Sequence, residues 1–111
     1  MNTFLVHFLA PTTSIDAWMQ KPEAERKEEE AKMMAEWDAW TEAHKDMFKE
    51  TKAAGKTKRV TVGGVEDTRN DLMLYSIVEG ESHDVIAKTF EGHPHLVIPG
   101  ATIEIMSIRS M

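Results

Sequence analysis

The first nine positions are dominated by apolar side chains. Thr3 to Leu9 reads Thr-Phe-Leu-Val-His-Phe-Leu, which predicts a β-strand. Its two alternating sets, Phe4, Val6 and Phe8 against Leu5 and Leu9, are both apolar, so both faces of the strand call for cover. Thr12 to Gln20 is a connection with one helical turn, capped by Ser14 ahead of Ile15 and Trp18. From Pro22 the period changes. Pro22 suits the first position of a helix, and Glu23 and Glu25 suit the positive end of its dipole. Met33, Met34, Trp37, Trp40 and His44 follow the spacing of one helical face and predict a helix to about Asp46. Its first half has only Ala24 and Ala31 as apolar residues and is expected to be exposed. Beyond Asp46 two readings stand. Either Met47 and Phe48 continue the stripe and Gly55 closes the helix, or Met47 to Glu50 is extended and Lys52 to Gly55 turns.

The rest of the chain is shorter in period. Thr57 to Val62, rich in Thr and Val, predicts a strand, and Gly63 to Asn70 a loop. Leu72 to Val78 is apolar apart from Ser76 and reads as a central strand. Ser82 is placed to cap a second helix over 83–91, which uses Val85, Ile86 and Phe90. Ala101 to Ile108 predicts the last strand. The order βαββαβ predicts an α+β fold: a ferredoxin-like four-stranded antiparallel sheet with the helices on one face. The opposite face, apolar in the first and third strands, is expected to be covered by a second copy in a homodimer.

At 111 residues, 1–111 is expected to be a single domain. With no cysteine there is no disulfide and no thiolate chemistry, which suits a cytoplasmic protein. No apolar run approaches the ~20 residues of a membrane span, and Phe4 to Leu9 is too short for a signal-peptide core. A net charge of −6 argues against nucleic acid as a partner, and the local cluster Lys56-Thr57-Lys58-Arg59 reads as a solvated edge strand.

Glu91-Gly92-His93-Pro94-His95-Leu96, the closing Ile103-Glu104-Ile105, Thr57-Lys58-Arg59-Val60 and Asp67-Thr68-Arg69-Asn70 resemble the YCII-related group of the dimeric α/β-barrel superfamily, over nearly the whole chain. The resemblance implies a ferredoxin-like domain that pairs into a dimeric α/β barrel. It also implies kinship with enzymes acting on small cyclic or aromatic compounds, among them isomerases, dehydrochlorinases and monooxygenases. In better-studied YCII-like members a histidine of the first helix and an aspartate before a proline form the proposed catalytic pair. Here His93-Pro94 occupies the Asp-Pro position, and His44 is the only histidine of the first helix. The resemblance favours ending that helix near Asp46.

With the first strand running upward, the topology brings His7, Asp16, the 63–70 loop, His93 and His95 to the upper end. It sends His44 and His83 to the lower end, roughly a strand length, ~20 Å, away. An imidazole with a pKa near ~6.5 can take and return a proton at neutral pH. The candidate catalytic residues are therefore His93 and His95, with Asp67 (or Asp16) as the orienting carboxylate. His7, Arg69, Asn70 and Trp18 are the candidate substrate-binding residues, Arg69 suiting a carboxylate or enolate oxygen. Such a set fits proton abstraction beside a carbonyl, isomerisation or elimination on a small molecule. Two other readings compete: a non-catalytic dimerising module with structural histidines, and a divalent-metal site on the three upper histidines. No glycine pattern for a nucleotide appears beyond Gly63-Gly64, and no cofactor is expected.

Overall fold

The computed structural model describes residues 1–111. Strand β1 (Asn2–Leu9) leads through helix α1 (Thr12–Met19) into the long helix α2 (Glu23–Ala43). A short 3-10 turn (Lys45–Met47) then opens strand β2 (Phe48–Ala53). Strands β3 (Thr57–Thr61) and β4 (Gly64–Thr68) precede β5 (Leu72–Gly80). Helix α3 (His83–Thr89), a second 3-10 turn (Pro94–Val97) and strand β6 (Thr102–Ile108) complete the chain. Four strands form one antiparallel sheet in the order β2-β5-β1-β6, while β3 and β4 form a separate hairpin. This is the ferredoxin-like arrangement that the order of elements predicts.

The strand after the long helix differs from expectation. Thr57 to Thr61 is a strand, but it pairs with β4, which takes up most of the expected 63–70 loop. The place beside β5 belongs to Phe48–Ala53. The extended reading of Met47 to Glu50 therefore describes the chain, and the helix ends at Ala43, three residues before Asp46. The reason is cover. Phe48 reaches the aromatic core, and Thr51 bonds the otherwise orphaned buried hydroxyl of Ser76 at 2.7 Å, leaving the other side chains of β2 at the sheet edge.

The core lies between the sheet and the helices. Phe4, Val6, Phe8 and Val78 project from the sheet, Ile86 and Phe90 from α3 and its end. Trp37 and Trp40 of α2 pack against them, so these two members of the stripe read from the sequence face the core, while Met34 is exposed. The first half of α2 is exposed apart from Arg26 and Glu29, which are half-buried. Ser82 caps α3 by accepting the N–H of Val85 at 3.2 Å. Gly80 lies where an added Cβ would run into the Ile86 side chain, itself buried against the sheet. Gly80→Ala is expected to cost about 1–3 kcal/mol through overpacking, measured by urea unfolding. No helix is long and apolar enough to cross a membrane.

The far face of the sheet carries no helix. Alternation along β1 sends Thr3, Leu5, His7 and Leu9 to it, and these residues are only half-buried, against full burial of Phe4, Val6 and Phe8. Cross-strand partners share a face. Leu5 stands between Ile77 and Met106, and His7 between Tyr75 and Glu104.

Candidate functional site

The sequence directs attention to His93 and His95, and the structure places both in the interior, at 2% and 1% exposure. Gly92, at a φ of 73°, turns the chain out of α3 in a conformation that glycine adopts without strain. Pro94 then begins the 3-10 turn, and His93 caps it: its Nδ1 accepts the backbone N–H of His95 at 3.0 Å. The proton of the neutral ring is therefore on Nε2. That atom is buried with no hydrogen-bond partner. Around it the rings of Trp37 and Trp40 stand at 4.5 Å between centroids, with Phe8 at 5.3 Å and Phe90 at 5.9 Å. An aromatic face is the weak acceptor that such a cage supplies. Burial pushes the His93 pKa down to about 4, and His95 and His44 add repulsion. The ring is neutral at pH 7.

His95 acts as a bracket between elements. Its Nε2 donates to the Leu9 carbonyl at 2.8 Å, tying the 3-10 turn to the end of β1. Burial lowers its pKa, and the backbone carbonyls of Leu9 and Thr102 work in the opposite direction. Neither ring lines the groove at the upper end of the sheet.

His44 is not remote from this group. Trp40 bridges the two, with its ring 4.1 Å from His44 and 4.5 Å from His93. The chain after α3 tucks against α2 instead of staying at the rim, which brings His93 down towards the end of that helix. His44 itself bonds the Trp40 carbonyl through Nδ1 at 2.7 Å. His83 lies at the opposite end of β1, against Phe4, with Nε2 on the Ile105 carbonyl at 2.6 Å.

The remaining candidates divide between two places. Asp67, Arg69 and Asn70 line an open groove of about 1020 Å³ at the upper end, together with Lys56 and the apolar floor of Ala10 and Ile15. Asp67 is exposed and paired with Lys58 at 2.6 Å across the hairpin. Arg69 pairs with Asp16 at 3.1 Å, which raises the guanidinium pKa through the hydrogen bond and then the charge. Asn70 turns the chain into β5, its Oδ1 accepting the Leu72 N–H at 3.0 Å. No histidine lines this groove, so Asp67 is not brought to His93 and His95. Trp18 packs on α2, its Nε1 donating to Glu29 at 2.8 Å with Arg26 over the ring.

His7 is the histidine whose surroundings differ. The other four each hold a backbone group through a ring nitrogen, whereas the His7 ring makes no hydrogen bond within the chain. It lies half-buried on the helix-free face in a row across all four strands: Lys52, Tyr75, His7, Glu104. Directly opposed residues in an antiparallel pair stand about 4.5–5.5 Å apart at Cα, so Tyr75 and Glu104 flank the imidazole. The Tyr75 hydroxyl donates to Glu50 at 2.8 Å, and this bond, then burial and the Glu50 charge, raises its pKa. Sequence reading marks His7 but not its neighbours, because Tyr75 and Glu104 join it only through strand pairing. No group of three or more His, Asp or Glu residues is arranged to hold a metal ion.

No protein-family model matches the chain, and no curated protein does. Among solved structures it is similar to the 5-chloro-2-hydroxyhydroquinone dehydrochlorinase TftG from Burkholderia phenoliruptrix AC1100, in complex with 2,5-dihydroxybenzoquinone. The TM-score is 0.50 at 18% sequence identity, over 92% of this chain and 90% of that one. At this identity the likeness is one of fold, and it supports the ferredoxin-like α+β architecture.

Proposed function

We propose that this chain, a YCII-related member of the dimeric α/β-barrel superfamily, is a homodimeric binder of a small cyclic or carbonyl compound. We assign it acid–base chemistry of the isomerase or lyase type, centred on His7. One observation carries the reading: His7 is the histidine with both ring nitrogens uncommitted, on an otherwise uncovered sheet face, between a phenol and a carboxylate. A proton-transfer group needs one nitrogen free for the substrate, and the other is best oriented by a carboxylate. Glu104 is placed beside the ring for the orienting role, and Tyr75, whose proton goes to Glu50, offers its oxygen to accept from a substrate hydroxyl. The internal bonds of His93 and His95 favour structural roles for those two, as in the non-catalytic reading. Arg69 and Asn70, with Asp67, are left as a polar wall of the upper groove, suited to holding an anionic or hydroxylated group.

The dehydrochlorinase neighbour is solved with 2,5-dihydroxybenzoquinone, which makes that compound the natural first probe. Titration followed by calorimetry is expected to show binding to the wild-type protein and at least about tenfold weaker binding to His7→Gln, with an unchanged circular dichroism spectrum. His93→Gln is expected to bind as the wild type does wherever it remains folded. Equal affinity in His7→Gln, or no binding of this compound and its hydroxylated ring analogues, would remove His7 from the site.

A further inference from the structure

The groove at the upper end and the row of His7 are parts of one surface. Leu9 follows His7 by two residues on the helix-free face, and Leu72 is its cross-strand partner. Met73 lies two residues before Tyr75 on the same face. Its carbonyl accepts the Ala54 N–H at 2.9 Å, which sets Ala54 in that row, two residues beyond Lys52. Ala54, Leu72 and Met73 line the groove. Its floor is therefore the next row of the sheet above Lys52, Tyr75 and His7, about 7 Å along the strands. The register slips here: Phe8 opposes Leu74 and Leu9 opposes Leu72, so Met73 is an extra residue in β5. Such a bulge re-aims side chains and is frequent beside functional sites.

Charge is spread unevenly over this surface. Two carboxylates stand in or against the His7 row: Glu104 next to the imidazole, and Glu50 on the Tyr75 hydroxyl. In the groove, Asp67 takes Lys58 and Asp16 takes Arg69. Lys56, at the base of the hairpin, forms no ion pair. Asp71 is the other unpaired charge of the groove. It lies on the β1 side, where its carbonyl accepts the Ala10 N–H at 2.9 Å. An apolar floor thus leads from the imidazole and phenol to a free ammonium. A ring over Tyr75 and His7 with an anionic arm has one favourable direction on it. Towards Lys56 the arm meets an opposite charge, and towards Glu50 or Glu104 a like one.

We propose that the upper groove is the second half of the His7 site, and that the ligand is a ring compound with a carboxylate arm: the ring over Tyr75 and His7, the carboxylate on Lys56. The inference rests on the function proposed above. It adds the charge of the ligand, its length and its direction on the sheet.

A matched pair of compounds tests it. In 3-(2,5-dihydroxyphenyl)propanoate a two-methylene arm carries the charge roughly one row, ~7 Å, from the ring centre, and the corresponding amide has the same shape without the charge. Both are titrated by calorimetry at low salt. The wild type is expected to bind the carboxylate about fivefold more tightly than the amide. Lys56→Gln is expected to bind the two alike, with the affinity for the amide unchanged, and Lys56→Glu to prefer the amide. His7→Gln is expected to weaken both compounds together and to keep the preference. Lys56 is exposed, so its replacement spares the fold, as circular dichroism verifies.

Equal binding of the two compounds by the wild type overturns the groove as an anion subsite. So does a preference that survives Lys56→Gln, including one that disappears only in Lys52→Gln, which would put the anion across the His7 row. In each case the His7 reading stands as long as His7→Gln weakens both compounds. A preference lost in Lys56→Gln, with affinity indifferent to His7→Gln, overturns the union of the two halves. Binding of neither compound overturns the proposal together with the reading it rests on.

Discussion

Between pH 6.5 and about 4 the folded protein is expected to lose about 3 kcal/mol of stability through His93 alone. The unfolded chain exposes this ring at its ordinary pKa of ~6.5, while burial among Phe8, Trp37, Trp40 and Phe90 holds it near 4 in the native state. Within that window the unfolded state binds a proton that the folded state refuses. Stability is therefore complete above pH 6.5, falls as the pH drops, and levels off below about 4. His95 contributes in the same direction, because its native pKa is also lowered by burial. Urea unfolding at pH 7 and pH 4.5 measures the loss. His93→Phe keeps an aromatic ring in the cage and removes the titration, so the variant is expected to lose much less stability over the same interval. It gives up the cap on the His95 N–H, which lowers its stability by about 1 kcal/mol at every pH. A pH profile identical to that of the wild type would show that His93 is not held neutral.

Trp37→Ala is expected to cost about 3–5 kcal/mol. The ring lies 5.3 Å from Phe8, 4.5 Å from His93 and 5.9 Å from His95, so its removal opens the wall that separates the two histidines from water. Trp18→Ala is the control. That indole sits on the exposed half of α2, bonded to Glu29, and its loss is expected to stay near 1 kcal/mol. Chemical denaturation of the two variants separates the core-facing stripe from the outer one. A Trp37→Ala loss below about 1 kcal/mol would show that α2 contributes little to the fold.

Both results bear on how far the fold can be read from the chain. Two signals are clear in the sequence: the apolar run of β1 and the three-four spacing from Met33 to His44. Each is a local consequence of burial, and each yields the element it predicts. The second strand of the sheet was harder. Thr57 to Thr61 has the composition of a strand and is one, yet composition carries no information about its partner. Phe48–Ala53 is mostly polar because it lies at a sheet edge, where only Phe48, Thr51 and Ala53 turn towards the helices.

The site was less legible still. His93 and His95 look alike in sequence to any titratable pair on a turn. Their burial depends on aromatic rings from β1, α2 and the end of α3 that converge only in the folded chain. His7 is marked by its place in an apolar strand. The freedom of its ring from hydrogen bonds and its neighbours Tyr75 and Glu104 follow from register, which no local pattern fixes.

The β3–β4 hairpin gives the molecule a second scale of stability. Its strands pair only with each other, its cross-strand ion pairs Lys58–Asp67 and Arg59–Glu66 are its own, and Val60, Val62 and Val65 stand in solvent. An isolated two-stranded ribbon is marginal in water. The arm is therefore expected to fray while β1 and β5 stay closed, and its amide protons to exchange with solvent ahead of theirs, as hydrogen exchange measures. For an engineer, the tip at Gly63-Gly64 is a free handle: a fluorophore or affinity tag spliced there rides on a segment whose melting the rest of the chain does not feel.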